Sequence, residues 1–332
     1  MKKLALLFVA MSTFASVAEE VNVYSFRQDF LIKPLLDQFT KETGVKTKVV
    51  FAKKGLIERM KREGKYSPAD VVLTSDFSKL LQLKDENLTQ SINNKAIAND
   101  VPAKFIDSDG QWVALTKRVR NIYASKANVS NAESLTYEQL ASPEFKGKVC
   151  TRSGKHPYNL GLIASMIAHK GEAATEAWLK GVKANLARKP QGNDRGQVKA
   201  IKEGLCQVSL GNSYYFGKML TNKDQKPWAD AVNLVHPNQN DRGAHINVSG
   251  AAIAKYAPNK DNAAKLIAFL ASEKAQQAYA ELNFEYPVNP NVKPAKMVAS
   301  WGEFKEDALA LAEVAKYRKA ALKLVDKVKY DL

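Results

Sequence analysis

The sequence predicts an α/β protein of two lobes, each a mostly parallel sheet flanked by helices, with a ligand cleft between them. Three observations predict it. Short β-branched or apolar runs alternate with helical periodicity in two separate cycles, over residues 21–83 and 148–220. Two extended passages, 112–125 and 232–248, link the cycles. The 332 residues are long enough for about two domains, each with its own core.

In order, Val21-Asn22-Val23-Tyr24 is a short strand. Phe30, Leu31, Leu35 and Phe39 then recur at near-helical spacing, and Gly44 ends that helix. Thr47 to Phe51 is a second strand, Leu56 to Arg62 a helix closed by Gly64, Asp70 to Thr74 a third strand, and Phe77 to Leu83 a third helix. This order predicts an open sheet with helices on both faces. The second cycle reads as strand 148–151, helix 160–169, strand 207–210 and a helix from about Tyr214 to Leu220. The last third reads as helical, over 262–282 and from Glu303 to about Val328. The crossings divide the chain into a first lobe of 19–115 plus 247–285 and a second lobe of 116–246 plus 286–332.

Composition is that of a folded chain: 45% hydrophobic and 25% charged residues, with mean hydropathy −0.33. It excludes a disordered tail, a collagen and a polytopic membrane protein. Lys2 and Lys3, the apolar stretch Leu4 to Met11 and the small residues Ser16-Val17-Ala18 form the pattern of a secretory signal peptide. Cleavage after Ala18 would remove two lysines from a chain whose 50 Lys+Arg outweigh 34 Asp+Glu by +16. Export to an oxidising compartment favours a Cys150–Cys206 bridge over two buried free thiols, with a contribution on the order of 3–4 kcal/mol.

Enzyme motifs are absent: no HExxH, CxxC, GxSxG or strand-linked GxGxxG. Gly211 to Gly217-Lys218 misses the P-loop spacing by one residue and has Met219 where Ser or Thr belongs. His156, His169, His236 and His245 are dispersed without metal-ligand spacing.

The tyrosines carry the sharper signal. Tyr214 and Tyr215 follow a strand and the turn Gly211-Asn212-Ser213, where Asn212 or Ser213 suits an N-cap. In a first helical turn, neighbours lie about 100° apart, so both phenols can reach one point. Tyr158 leaves the neighbouring strand in the same way, and ligands in open α/β sheets collect beyond the carboxyl ends of strands. Phenolate is a hard anionic donor, and a trivalent cation can displace a proton whose reference pKa is about 10. Ferric iron suits such a trio. On spacing alone, amphipathic surface tyrosines explain the pattern equally well.

Val149-Cys150-Thr151-Arg152-Ser153-Gly154-Lys155-His156-Pro157-Tyr158-Asn159 and Leu210-Gly211-Asn212-Ser213-Tyr214-Tyr215-Phe216 resemble the corresponding stretches of periplasmic ferric-iron-binding proteins of ABC importers. The resemblance extends to Tyr24-Ser25-Phe26-Arg27, Gln191-Gly192-Asn193-Asp194-Arg195 and Gly250-Ala251-Ala252. It implies a type II, bacterial-transferrin-like binding protein, a monomer in the periplasm that delivers Fe3+ to an inner-membrane permease without catalytic turnover. Tyr158, Tyr214 and Tyr215 are the implied iron ligands. Several relatives continue the first motif as Arg-His-Tyr, where this chain has Arg27-Gln28-Asp29, so the first-lobe ligands are missing unless Asp29 substitutes. Gln28 or water are the other candidates to complete the shell.

Three phenolates leave about half of a six-coordinate shell, which in this family carbonate or bicarbonate often fills as a synergistic anion. Arg27 and Arg118 suit a planar oxyanion through bidentate forks, with Arg120 as the substitute for Arg118 on the same strand face. The rival readings are a same-fold protein for an oxyanion or polyamine, an exported enzyme with Tyr214 as nucleophile, and a basic nucleic-acid or membrane-surface binder. The last lacks any nucleic-acid-reading motif.

Overall fold

The structure is a computed structural model that describes residues 19–332, and the expected signal peptide lies outside the described residues. The first cycle folds as β1 (Glu20–Ser25), α1 (Asp29–Thr43), β2 (Lys46–Phe51), α2 (Leu56–Glu63), β3 (Val71–Thr74) and α3 (Phe77–Asp85). A short β4 (Thr89–Gln90) and α4 (Lys95–Asp100) precede the first crossing, β5 (Val113–Ser125). The second cycle is β6 (Val149–Cys150), α5 (Pro157–Ala184), α6 (Asp194–Lys202), β7 (Val208–Asn212) and α7 (Ser213–Leu220). The chain continues through α8 (Lys226–Asp230), β8 (Val232–Val235), the second crossing β9 (Ile246–Ala254), α9 (Lys260–Ala271), α10 (Glu273–Asn283) and β10 (Tyr286–Pro287). It ends with α11 (Lys296–Ala299), α12 (Leu311–Lys316) and α13 (Arg318–Lys327).

The strands follow one path, β2-β1-β3-β9-β5-β7-β6, and it is mixed. Pairs made within a strand–helix–strand cycle are parallel: β1 with β2, β1 with β3, and β6 with β7. The crossings β5 and β9 insert antiparallel, because a strand that carries the chain back between lobes must run against its neighbours. β5 pairs with β9 up to Val119 and with β7 from Arg120 onward, so one strand belongs to both halves of the sheet. This is a type II periplasmic-binding-protein architecture.

Alternation along β1 sends Val21 and Val23 into a core with α1 and Tyr24 into a second core with Leu56 and Met60 on the opposite face. The buried stripe of α1 is Ile32, Leu35, Leu36 and Phe39. Phe30, expected on that stripe, is instead 62% exposed. Around β6 and β7, a third core packs Ile163 and Ile167 of α5 against Leu324 and Val325 of α13, and a fourth gathers Cys150, Val198 and Cys206. Cys150 and Cys206 form a disulfide across 56 residues, with Cα atoms 5.9 Å apart. It ties together the two strands that lead to Tyr158 and Tyr214.

Three expected helices differ. The helix expected over 160–169 begins at Pro157 and runs on to Ala184, with a break at Gly171, whose φ of 79° only glycine adopts freely. The helix expected over 262–282 is two, separated at Ser272, whose ψ of 154° is extended. Residues 303–310 are not helical. Their backbone bridges to Ala244, which donates to the Lys305 carbonyl at 2.9 Å and accepts from the Asp307 N–H at 2.9 Å. Glu306 pairs with Lys104 and Lys117, and Asp307 with His169 of α5. Those partners outweigh local helix propensity and make this segment a third crossing. Tyr286 to Leu311 bury side chains in the first core, and Val314 to Tyr330 do so in the third. Among the described residues, no helix is long and apolar enough to cross a membrane.

Candidate functional site

A cleft of about 340 Å3 opens between the two halves of the sheet. It lies beyond the carboxyl ends of β1 and β3 on one side and of β6 and β7 on the other, where the topology concentrates ligand sites.

Tyr158 is the second residue of α5, just after Pro157, whose fixed φ suits a first helical position. His156 caps that helix through Nδ1, which accepts from the Tyr158 N–H at 3.2 Å, and its ring packs edge-on against Tyr158 at 4.6 Å. Tyr214 and Tyr215 lie in the first turn of α7, with ring centroids 4.1 Å apart. The Tyr158 and Tyr214 hydroxyls are 3.4 Å apart. All three phenols thus line one wall, at the N-termini of two helices, where the backbone dipoles favour negative charge.

A buried ion network holds the two helix starts in register. Arg120 donates to Asp194 at 2.7 Å, to the Asn212 side chain at 3.1 Å and to the Asn159 side chain at 2.5 Å. Asp194 also accepts from the Asn212 N–H at 3.0 Å and from Arg152 at 3.1 Å. Burial would raise the Asp194 carboxyl, but Arg120 and Arg152 outweigh it and hold it below the usual range. Behind the turn, a side chain on Gly211 would meet the Tyr123 ring at 2.1 Å, so only glycine lets Tyr123 reach the Asn212 carbonyl, 2.8 Å away.

Arg27, Gln28 and Arg118 line the facing wall. Both terminal nitrogens of Arg27 donate to Glu285, at 3.3 and 3.1 Å, and its guanidinium stacks on Tyr279 at 4.9 Å. Arg118 is 2% exposed; its Nη1 stands 3.7 Å from Glu285, Nη2 reaches only the Val248 carbonyl at 3.4 Å, and Nε has no partner. Its guanidinium lies 5.7 Å from the Tyr158 ring. Asp29 starts α1 at the exposed surface outside the cleft lining, and Arg120 belongs to the Asp194 network.

Electrostatics follow from the crowding. Burial, then Tyr158 and Tyr215, push the Tyr214 phenol well above its ordinary value. Burial, then Tyr158 and Asp194, push Tyr215 up to about 12. Burial would raise Glu285, yet Arg27 and Arg118 hold it below the carboxylate range. Burial, opposed by Glu285 and reinforced by Arg27 and Arg195, pulls Lys218 down. Among the described residues, no group of three or more His, Cys, Asp or Glu is placed to hold a metal.

The sequence reading missed Glu285, Lys218 and the linking role of Asp194. Glu285 follows a helix 258 residues away from Arg27, and nothing local marks it. Asp194 lies within a quoted segment, but its partners come from β5, the turn after β6 and the end of β7.

The model of the bacterial extracellular solute-binding protein family matches residues 51–304. The chain belongs to this family. Iron uptake protein A1 of Synechocystis is 42% identical, aligned over 93% of this chain and 86% of that protein. Apo ferric ion-binding protein A of Pasteurella haemolytica superposes with a TM-score of 0.90 at 53% identity, covering 95% of this chain and 99% of that one. A Trichodesmium protein solved in complex with iron and citrate ligands superposes with a TM-score of 0.90 at 39% identity, covering 94% and 99%.

Proposed function

We propose that this solute-binding protein captures Fe3+ outside the cytoplasm through the phenolates of Tyr158, Tyr214 and Tyr215, with a small oxyanion as co-ligand, and delivers it to an ABC permease. The observation that carries the reading is the convergence of three phenols on one cleft wall, two of their oxygens 3.4 Å apart. An octahedral ion with metal–oxygen distances of about 2.0–2.1 Å holds neighbouring oxygens roughly 2.9 Å apart, so a slight approach suffices. The named iron-binding relatives support the cargo.

The chain's own residues set the chemistry. With Tyr214 and Tyr215 raised, both phenols are protonated at neutral pH, and a trivalent cation must displace those protons to bind. The helix N-termini stabilise the phenolates that result. Three phenolates balance the charge of Fe3+, which leaves the cationic lining to be met by an anion. Arg118, buried with an unpartnered Nε, fits that role, whereas Arg27 is already committed to Glu285. Carbonate or bicarbonate suits a single guanidinium edge; citrate, present in the Trichodesmium complex, suits it with more charge. Hinge closure about the three crossings would bring the arginine wall onto the iron and exclude water.

The cationic lining favours one second reading, an oxyanion binder without metal; one lining carboxylate among the described residues is a poor match for a polyamine. One titration separates them. Adding ferric ion to the metal-free protein, with and without bicarbonate, should produce a visible phenolate-to-iron band that bicarbonate intensifies. Anion binding with no band in any medium would leave the oxyanion reading alone.

A further inference from the structure

Glu285 lines the cleft beside Arg27 and Arg118. It is 3% exposed, its two oxygens take both terminal nitrogens of Arg27, and the Thr116 hydroxyl donates to it. Its neighbour is packed against the second half of the sheet. The preceding Phe284 has a left-handed φ of 56° and seats its ring on Gly217 of α7, where a Cβ would come within 2.4 Å of it. Four cationic side chains, Arg27, Arg118, Arg195 and Lys218, line the cleft with Glu285 as the one carboxylate among the described residues. An incoming anion that docks on Arg118 therefore meets a negative charge 3.7 Å from that guanidinium.

We infer that Glu285 selects the anion that accompanies iron, favouring small oxyanions of low charge over polycarboxylates. The inference rests on the ferric reading of the same cleft. A buried charge about 10 Å from the anion, at an effective dielectric near 20, changes affinity on the order of tenfold for each negative charge the anion carries. The penalty therefore grows with anion charge, which a purely structural role for Glu285 would not produce. Carboxylate-to-amide replacement keeps an acceptor for Arg27 and Thr116 while removing the charge.

The test is ferric affinity of E285Q, E285D and R27Q in bicarbonate and in citrate, read by the visible band in competition with a chelator. E285Q should bind iron roughly tenfold tighter in bicarbonate and on the order of a hundredfold or more tighter in citrate. E285D should keep the parent preference, and R27Q, which leaves Glu285 uncompensated, should move the preference toward bicarbonate. Equal changes in both anions for E285Q, or a shift of R27Q toward citrate, would overturn the inference. If circular dichroism shows E285Q unfolded, R27Q and E285D decide it. Absence of the band in the parent protein in either anion refutes the ferric reading; a normal band with unchanged anion preference in all variants refutes the role of Glu285 alone.

Discussion

The two walls of the cleft are built in different ways. The phenol wall takes its residues from two adjacent helix starts, and a single buried network through Arg120 and Asp194 ties those starts together. The arginine wall is assembled from distant parts of the chain, with Arg27 after β1, Arg118 on β5 and Glu285 after α10. The first presents three phenol hydroxyls to the cleft. The second is a set of charges already partly paired with one another. The proposed function assigns them a division of labour, with one wall to hold the metal and the other to adjust charge around it.

That division can be broken from the phenol side first. Tyr214→Phe or Tyr215→Phe should each lower ferric affinity by more than about a hundredfold and abolish most of the visible band, since direct ligands outweigh outer-shell partners worth roughly 10–100-fold. An unchanged spectrum in both variants would dissolve the contrast between the walls. Next in size is pH. In the proposed binding mode iron would displace protons from phenols raised by burial, to about 12 for Tyr215, so binding would be favoured as pH rises. Apparent affinity should fall about tenfold per released proton for each pH unit lowered, giving a slope between two and three if the phenols act together. A slope near zero from pH 7.5 to 6 would mean that they do not.

Smaller effects sharpen the comparison. Asp194→Asn leaves Arg120 and Arg152 without their counter-charge and should cost about 3–5 kcal/mol, seen as a melting temperature lower by roughly 5–10 °C. Iron affinity should fall as well, because Tyr158 and Tyr214 lose their common tie. The smallest effects belong to the surface at the mouth of the cleft. Gln28→Ala and Asp29→Ala should change iron affinity less than about twofold and stability by less than about 0.5 kcal/mol. A large loss in Asp29→Ala would return that residue to the coordination shell and give the arginine wall a metal ligand.

Much of this was legible along the chain because the physics is local. The tyrosine pair reads as a first helical turn from Gly211-Asn212-Ser213, and the alternation of strands and helices places it at a strand end. Arg27 could be named because it leaves β1 at the crevice. The segment 303–310 was misread because its helix-compatible composition is overruled by Ala244, Lys117 and His169, none of them nearby in sequence. Arg118 and Arg120 share a strand face by alternation, yet one joins Glu285 and the other Asp194, since β5 changes partners between Val119 and Arg120.

The sequence by itself determined the chemical vocabulary: three phenols after two strands, arginines near the crevice, and two cysteines suited to a bridge. Periodicity, capping and residue chemistry act over a few residues, and a linear reading reaches them. Only the tertiary structure decided which charges meet. Whether Arg27 is free or taken, whether Asp194 ties two helices, and whether Glu285 faces the cleft depend on contacts across 74 to 258 residues. Coulomb interactions between buried groups are set by distances of a few ångströms, and the fold alone fixes those distances.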